Sequence, residues 1–480
     1  MKILLFLKRH KLMVWISFFI FTSLSLLLQH FTFGTNAYDL GIEAGTARNI
    51  VFKHSFFDPV MNINLLGDHF EPLLALPGIL FHLWDNAAVT ILFQNICVFL
   101  SIFLAYFLAK HLLNNELKAL LLTTIFTLCY YLQAANRFPF HIEMLAMPLF
   151  FILLILIETK RNRRTFIFIV LVSLIMCFIK EDIPLTVGFF GLWVLIFKRD
   201  KRLEGLLMFL IGISAFFVIT VYLMPHFSNG VYTHLGRYSN LGNTPAEIIK
   251  TLLRPDKVIS NLITPSEKIT QFLLLFAWFL FLPFFAPGYI LAGFSPLFYN
   301  MISNFRSQYM FDFQYSISLL PFLFYGSIYG MKNLKLLFYK LKNKVKMVNI
   351  FKKICYLYIC VVLIAGISVN FKYFNPLTHW RNLSLYTVLS QEIKPIIPIQ
   401  SRIITIGELQ PHFIEYDYAT MLDPHTNLTE VKNNTYFILL NDRIPWPWDE
   451  VKYKEYISKL REQSLVLFEK NSFLVMKSKT

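Results

Sequence analysis

The chain has 480 residues, of which 56% are hydrophobic and only 15% are charged, and its mean hydropathy is +0.54. This exceeds the apolar content that one soluble core could bury, and the apolar residues fall in repeated runs of about 16 to 23, as in a protein that crosses a membrane many times. The net charge of +16 does not indicate nucleic-acid binding, because the basic residues form short clusters between the apolar runs.

The apolar runs predict an all-α membrane domain with about eleven transmembrane helices. The first run follows a basic N-terminus and continues to Gln29 without a small-residue cleavage site, so we interpret it as an uncleaved anchor and not as a signal peptide. An odd number of crossings places the two termini on opposite sides of the membrane. The predicted spans are 12–29, 87–109, 119–135, 143–158, 165–180, 183–197, 203–224, 269–286, 288–303, 314–330 and 354–370.

The distribution of Lys and Arg predicts which side faces the cytoplasm. Short loops on the cytoplasmic side of a membrane carry an excess of these residues. We therefore expect a multi-pass protein of the cytoplasmic membrane with its N-terminus inside and its C-terminus outside. The four basic clusters that then lie inside are at 8–11, 160–164, 198–202 and 332–353.

Residues 371–480 differ in character from the membrane part. They predict a small extracytoplasmic α/β domain, because strand-like stretches and one helix are separated by turn residues. The strand-like stretches are at 401–409, 434–442 and 464–477, and the helix is near 450–462. Residues 1–370 form the predicted membrane domain, with outer loops at 30–86 and 225–268.

The stretch YDLGIEAG, which follows the first predicted span, contains two acidic residues. Asp39 and Glu43 are four positions apart, so they share one face if the segment is helical. The functional interpretation is that the Asp39 carboxylate faces a cavity at the membrane surface. The alternative is that Asp39 only caps a helix, a position where Asp is common.

Two H-x-E pairs occur in the predicted outer loops. GDHFEP contains His69 and Glu71, and FHIE contains His141 and Glu143. An extended backbone points both members of such a pair to one side, where they could supply metal ligands or a general acid and base. The alternative for each pair is a surface or core histidine with a local hydrogen bond.

IKEDIP interrupts a long apolar run with Lys180, Glu181 and Asp182. One continuous helix here would be too long for a bilayer and would bury all three charges, so we expect two short helices joined by a tight outer turn. The alternative to a functional role is a self-paired turn that stays hydrated.

Arginines in the predicted outer segments are candidates for binding a phosphate, because a guanidinium can form two parallel hydrogen bonds with it. Arg237, Arg254 and Arg306 are the residues in question, and we take Arg306 as the candidate for substrate binding. The alternative for each of them is simple anchoring at the membrane interface.

The order of these motifs resembles the DUF2079 family of predicted bacterial and archaeal membrane proteins. The matching motifs are YDLGI after the first span, DHFEP before the second, FPFHIE before the fourth and KED between the fifth and sixth. Further matches lie at 314–326, 397–413 and 436–448, so the resemblance covers nearly the whole chain.

That family resembles a branch of the GT-C superfamily, membrane glycosyltransferases that take a sugar from a polyprenyl-phosphate carrier outside the cytoplasmic face. The resemblance implies a GT-C-like membrane domain and an essential acidic residue in the first outer loop, where this chain has Asp39. The family pattern continues after D-L-G-I with an aromatic residue, an Asp and a Gln, whereas this chain has Glu43, Ala44 and Gly45. Either Glu43 takes the second acidic role or that role is lost.

The implied reaction moves a sugar from a polyprenyl-phosphate donor to an envelope acceptor. We expect Asp39 to be the general base, and Glu43, His141 and Glu143 are the other catalytic candidates. A divalent metal ion at the H-x-E pairs is a candidate cofactor, with its ligands unassigned. The candidates for binding the sugar or its phosphate are His69, Glu71, Lys180, Glu181, Asp182 and Arg306.

Two other classes of function stay open. A transporter or flippase of a lipid-linked saccharide would line its path with similar charges, but it predicts internal repeats and polar residues near mid-bilayer, whereas no repeat occurs and the charges lie at one predicted surface. A non-catalytic membrane scaffold would keep the fold and bind a partner through the C-terminal domain. The altered residues after Asp39 fit this second alternative.

Overall fold

The computed structural model is mainly helical and ends in a mixed β-sheet. One large cluster of buried apolar side chains holds the helices together, and a second cluster forms the core of the C-terminal region. The structure describes residues 2–228, 230, 233–340, 345–378, 383–424, 434–445 and 447–479.

The helices of the first half of the chain begin at recognisable sequence signals. Asn115 accepts a hydrogen bond from the backbone N–H of Lys118 at one helix start, and Asn162 and Thr165 form a capping box at another. In chain order these helices are α1 (Lys2–Phe31), α2 (Ile42–Lys53), α3 (Leu65–Asp68), α4 (Ala75–Gly78), α5 (Ala88–Leu113), α6 (Glu116–Thr127), α7 (Tyr130–Arg137), α8 (Ala146–Glu158), α9 (Arg163–Met176), α10 (Ile183–Phe197), α11 (Arg202–Phe217) and α12 (Met224–Phe227).

The helices of the second half are shorter on average, and proline occupies the first turn of several of them. Proline suits this position, because the first helical N–H has no partner within the helix. These helices are α13 (Pro245–Leu252), α14 (Pro255–Ile263), α15 (Glu267–Trp278), α16 (Pro287–Ile290), α17 (Phe294–Ile302), α18 (Arg306–Tyr309), α19 (Leu320–Lys340), α20 (Val345–Tyr373), α21 (Leu383–Val388) and α22 (Glu450–Gln463).

Every predicted span overlaps a helix, but the helices differ in length. Among the described residues four stretches are long and apolar enough to cross a membrane, and α6 with α7 makes a fifth if this pair, bent by 46°, is one span. The predicted span 288–303 instead forms short pieces, in which Pro296 has no N–H to continue the helical hydrogen bonds. The four long stretches are Arg9–Phe31, Ala88–Leu113, Arg199–Phe227 and Val348–Tyr373.

Glycines allow α10 and α11 to pack backbone against backbone. A Cβ atom added at Gly191 would lie 2.5 Å from Phe209 N, and one added at Gly212 would lie 2.4 Å from Gly188 N. Close approach of this kind is typical of membrane helices with small residues at their interface. It also fixes the start of α10, where residues 180–182 lie.

The C-terminal region contains a five-stranded sheet with the order β4-β3-β5-β7-β6, and a separate short hairpin, β1 with β2, lies near α2. In the sheet, β3 pairs in parallel with β4 and β5, while β7 pairs antiparallel with β5 and β6. Helix α22 connects β5 to β6, so the region mixes helices and strands as the sequence predicts. The strands are β1 (Phe57–Asp58), β2 (Ile63–Asn64), β3 (Arg402–Thr405), β4 (Tyr418–Met421), β5 (Thr435–Leu440), β6 (Ser464–Lys470) and β7 (Phe473–Ser478).

Candidate functional site

Asp39 lies in a strained turn between α1 and α2. The turn spans Ala37–Gly41, and within it Asp39 has φ +73° and ψ −84°, close to a γ-turn conformation that side-chain-bearing residues rarely adopt. Such backbone strain costs about 1–3 kcal/mol and persists only where the surroundings hold it, often at functional sites. The Asp39 side chain is 31% exposed, so its carboxylate is accessible to a second molecule.

His141 connects Asp39 to two buried glutamates. Its Nε2 lies 3.6 Å from Asp39 Oδ1, while its Nδ1 lies 2.9 Å from Glu43 Oε1 and 3.9 Å from Glu143 Oε2. The backbone N–H of His141 donates to Gln94 Oε1 at 3.0 Å, and the next backbone N–H donates to Glu43 Oε2 at 2.8 Å. These contacts fix the orientation of the imidazole ring relative to Asp39.

The charge of His141 follows from its neighbours. Burial alone would lower the pKa of His141, but the carboxylates of Asp39 and Glu43 outweigh burial and raise this pKa to about 9. The ring is therefore an imidazolium at neutral pH. It can donate a hydrogen bond toward Asp39, and it has no free lone pair with which to accept a proton.

Lys180 bridges two glutamates that come from different connections between helices. Its Nζ lies 2.7 Å from Glu143 Oε1 and 2.8 Å from Glu71 Oε1, and all three side chains are buried. Burial raises the pKa of Glu71 well above its usual value, although the charge of Lys180 opposes this shift. The ammonium group thus already compensates two acids.

Glu181 organises the residues around His69. One carboxylate oxygen lies 2.9 Å from His69 Nδ1, and the other accepts a hydrogen bond from the backbone N–H of Phe70 at 3.1 Å. Burial alone would raise the pKa of Glu181, but His69 lowers it below its usual value. The ring of His69 stacks on His234 with 4.3 Å between centroids, and burial, reinforced by the charge of His69, lowers the pKa of His234 to about 3.

Asp182 extends this group of ionisable residues. It accepts a hydrogen bond from the Tyr299 hydroxyl at 2.6 Å. Burial, helped by the neighbouring charge of Glu181, raises the pKa of Asp182 to about 6. The structure thus brings most of the predicted site residues into one group, joined partly by direct contacts and partly by the electrostatic interaction of Glu181 with Lys180 and Asp182. We call this group the acidic network. It consists of Asp39, Glu43, His69, Glu71, His141, Glu143, Lys180, Glu181 and Asp182.

Arg306 lies outside the contacts of the acidic network. Its side chain is 63% exposed, and its Nε lies 3.9 Å from Glu267 Oε2. Arg237 is the cation nearer to the site, because its Nη1 lies 3.4 Å from the Tyr315 hydroxyl, which is within electrostatic reach of Lys180, Glu143 and Asp39. Its guanidinium contacts aromatic rings, and among the described residues it has no carboxylate within ion-pair distance.

Several residues that complete the site were not singled out from the sequence. Gln94 had a signal, since a polar residue inside an apolar span usually has a specific partner. Asp68 lies within the GDHFEP motif but was not selected, whereas His234 and Tyr299 had no signal, because their contacts with His69 and Asp182 join segments that are far apart in the chain.

The C-terminal region supports the turn that carries Asp39. The backbone N–H of Ala37 donates to Gly407 O at 2.8 Å. A Cβ added at Gly41 would lie only 2.0 Å from Gln410 Oε1, so the two segments are in tight contact. Farther along α2, Lys53 Nζ donates to Asp417 O at 2.9 Å. The C-terminal region therefore contacts the strained turn at both of its ends, Ala37 and Gly41.

Two sets of side chains in the described residues have the composition and proximity of metal ligands. In each set one donor atom from every member lies within 4.8 Å of the others. Neutral imidazole and carboxylate oxygen are donors that zinc and similar divalent ions bind. The sets are Glu43, His141 and Glu143, and Asp68, His69 and His234.

Comparisons with known proteins place the chain among membrane proteins. The family model described as predicted membrane protein (DUF2079) matches residues 29–471. The crystal structure of ArnT from Cupriavidus metallidurans bound to undecaprenyl phosphate is similar to this chain with a TM-score of 0.49 and 12% sequence identity, over 96% of this chain and 97% of that chain. No curated protein matches the chain.

Proposed function

We propose that this chain, which belongs to the DUF2079 family of predicted membrane proteins, transfers a sugar from a polyprenyl-phosphate-linked donor to an envelope acceptor. The observation that carries the proposal is the setting of Asp39. A partly exposed carboxylate on a strained turn lies at the edge of a buried network of acids and bases, which is the arrangement expected of a general base. The GT-C class of the reaction rests on the resemblance in the order of the motifs.

The proposed topology places this chemistry at the outer surface of the cytoplasmic membrane. We propose eleven crossings within residues 1–370, with the N-terminus in the cytoplasm, and an extracytoplasmic domain at 371–480. The residues of the acidic network lie in connections between helices or, for Glu43, in the first turn of α2, and not at mid-helix. A lipid-linked donor would present its phosphate at the interface and its sugar to water at this level.

Asp39 is the proposed general base. The acceptor hydroxyl transfers its proton to the Asp39 carboxylate while its oxygen forms a bond to the anomeric carbon of the sugar. The bond between that carbon and the phosphate oxygen breaks, and polyprenyl phosphate leaves with the bonding electrons. The His141 imidazolium lies 3.6 Å from the Asp39 carboxylate and orients it, and Glu43 and Glu143 stabilise the charge of the imidazolium.

Arg237 is the proposed ligand of the leaving phosphate. A phosphate needs a cation that is not already neutralised, and Lys180 lies between Glu71 and Glu143. Arg237 presents its guanidinium beside the Tyr315 hydroxyl, so both groups can donate to phosphate oxygens. Lys180, Glu181 and Asp182 would then shape the sugar pocket through their fixed partners. Arg306 remains a candidate for a more distant part of the donor.

The test is sugar transfer by the purified full-length protein in lipid. A panel of polyprenyl-phosphate sugars is incubated with envelope acceptors, and Asp39→Asn is compared with the parent. Removal of a general base is expected to lower the transfer rate by about 100- to 10,000-fold. Asp256→Asn is the matched control, since Asp256 is an exposed acid that pairs only locally with Arg254, and its rate should equal that of the parent.

Two results would overturn the proposal. One is transfer by Asp39→Asn at the parental rate, which would remove Asp39 from the chemistry. The other is a folded parent that transfers none of the sugars and that captures an envelope protein through residues 371–480, which would favour the scaffold. Arg237→Gln is expected to raise the KM for the donor and to leave the protein folded.

A further inference from the structure

We propose that Asp68, His69 and His234 form a binding site for a zinc ion, separate from the carboxylates that surround Asp39. The Oδ2 of Asp68 lies 3.9 Å from His69 Nε2, and its Oδ1 lies 3.5 Å from His234 Nε2. Ligand atoms about 2.1 Å from a tetrahedral zinc ion are roughly 3.4 Å from one another. Small rotations of these three side chains therefore reach zinc geometry.

The second observation is the hydrogen bond on the far side of His69. Glu181 Oε1 lies 2.9 Å from His69 Nδ1, and Glu181 Oε2 is held by the backbone N–H of Phe70. A carboxylate on one ring nitrogen turns the other nitrogen toward a metal and makes it a better ligand, as in carboxylate–histidine–zinc sites. His69 is thus already oriented with its Nε2 on the side of Asp68.

The third observation is that the site joins two segments that lie far apart in the sequence. His234 Nε2 lies 2.9 Å from the carbonyl oxygen of Asp68, and the two histidine rings are stacked. Zinc would bind the lone pair of His234 Nε2 in the tautomer that carries its proton on Nδ1, and it would fasten residues 233–238 to the turn at 68–69. The same segment carries Arg237, so the ion would also set the position of the guanidinium.

The second set of candidate ligands, Glu43, His141 and Glu143, has a different charge environment. Lys180 Nζ already lies 2.7 Å from Glu143, and Glu43 already pairs with His141 Nδ1. A zinc ion there would have to displace a cation from each glutamate. The side chains of Asp68, His69 and His234 are between 13% and 21% exposed, so a fourth ligand such as water can reach the ion.

The experiment measures zinc binding directly and needs no sugar donor, so its outcome is independent of the proposed transferase activity. The full-length protein in lipid nanodiscs is stripped with a chelator, titrated with Zn²⁺ and analysed for metal after gel filtration. The parent is expected to retain about one zinc ion per chain. His234→Ala and Asp68→Asn should lose it, whereas the control His226→Ala, at an exposed histidine of the same outer segment, should retain it.

Glu181→Gln separates metal binding from folding, because it leaves all three ligands in place. It is expected to weaken zinc binding by about 10- to 100-fold, and Co²⁺ bound to the parent should show the visible absorption of a tetrahedral site. The proposal is overturned if the stripped parent takes up no more zinc than His234→Ala. It is also overturned if Glu181→Gln binds zinc as tightly as the parent.

Discussion

Two ion clusters lie near the ends of helices in this protein, one half-buried and one mostly buried, and they are built differently. In the first, Glu158 Oε1 accepts hydrogen bonds from Lys198 at 2.5 Å, from Tyr329 at 2.9 Å and from Tyr325. In that cluster Glu158 forms an ion pair with Lys198, and aromatic rings surround the ammonium group. In the acidic network, six carboxylates face one lysine and two histidines.

This difference suits a structural role for the Glu158 cluster and a functional role for the acidic network. Buried polar groups in folded proteins nearly always have hydrogen-bond partners. Within the described part of the chain His141 Nε2 and Asp182 Oδ1 are buried without one, whereas the Glu158 carboxylate has three donors on one oxygen. An excess of buried acid is unfavourable for stability and is common where a substrate or an ion completes the charge balance.

The largest expected difference between the clusters concerns their lysines. Lys180→Met leaves the carboxylates of Glu71 and Glu143 without their shared cation, so the free energy of unfolding should fall by about 3–5 kcal/mol. Lys198→Met should cost less, about 1–3 kcal/mol, because Glu158 keeps its two tyrosine hydroxyls. Unfolding of both variants in the same lipid or detergent measures this difference.

The comparison has an internal control. Glu71→Gln combined with Lys180→Met removes one acid along with the cation, and it should recover part of the stability lost in the single variant. Equal losses for Lys180→Met and Lys198→Met would mean that the two clusters are electrostatically alike, and the distinction drawn between them would be wrong.

The second prediction concerns pH. The pKa of His141 is raised from 6.5 to about 9 by Asp39, Glu43 and Glu143, so its contribution to stability is complete below pH 6.5 and is lost as the pH rises through about 9. At 1.4 kcal/mol per pH unit, this contribution amounts to about 3 kcal/mol. Unfolding measured across this range should show the loss, and His141→Gln should flatten the profile. His226→Gln, at an exposed histidine, should leave the profile as in the parent.

The sequence predicted the helices and strands well because their signals are local. Each span predicted from an apolar run overlaps at least one helix, and the alternation of strand and turn residues predicted the positions of β3, β5, β6 and β7. The convergence of the motifs was also predictable, since connections on the same side of a helical bundle lie near one another. The number of crossings was less certain from the sequence, because prolines divide the region around 288–303 into short helices.

The details of the site depended on contacts that no local pattern contains. The H-x-E spacing predicted that both members of a pair point to one side, but it did not identify their partners, which are Glu181 for His69 and Lys180 for Glu71. The strained turn at Asp39 depends on Gly407, which lies in the C-terminal region. Arg237 was one of three similar arginines in the sequence, and only its tertiary contact with Tyr315 distinguishes it.

The third prediction tests Asp182, the member of the acidic network with a tyrosine partner. Tyr299→Phe removes the hydroxyl that donates to its carboxylate and should lower stability by about 2 kcal/mol near neutral pH. The pKa of Asp182 is raised to about 6, so the carboxyl is increasingly neutral below that pH and the loss should shrink there. Tyr329→Phe should cost less, since Glu158 keeps Lys198 and Tyr325. A loss for Tyr299→Phe that is the same at low and neutral pH would contradict the assignment.

The smallest expected effect concerns the contact that joins the acidic network to the C-terminal region. Gly41 has helical backbone angles, so Gly41→Ala should gain up to about 1 kcal/mol from helix propensity. The new Cβ would lie 2.0 Å from Gln410 Oε1, and moving that buried side chain breaks its hydrogen bond to Ala419 O, which costs about as much or more. Gly288→Ala near Lys198 is the control, because its Cβ would meet only Phe197 at 3.6 Å.

A double-mutant cycle with Gln410 separates the two opposing contributions to the stability of Gly41→Ala. In a Gln410→Ala background the clash is gone, so Gly41→Ala should become stabilising, with a coupling of about 1 kcal/mol between the two positions. If the C-terminal region also holds Asp39 in its strained turn, Gly41→Ala alone should reduce sugar transfer more than its loss of stability explains, and Gln410→Ala should partly restore it. Additive effects at the two positions would show that the C-terminal region does not influence the turn that carries Asp39.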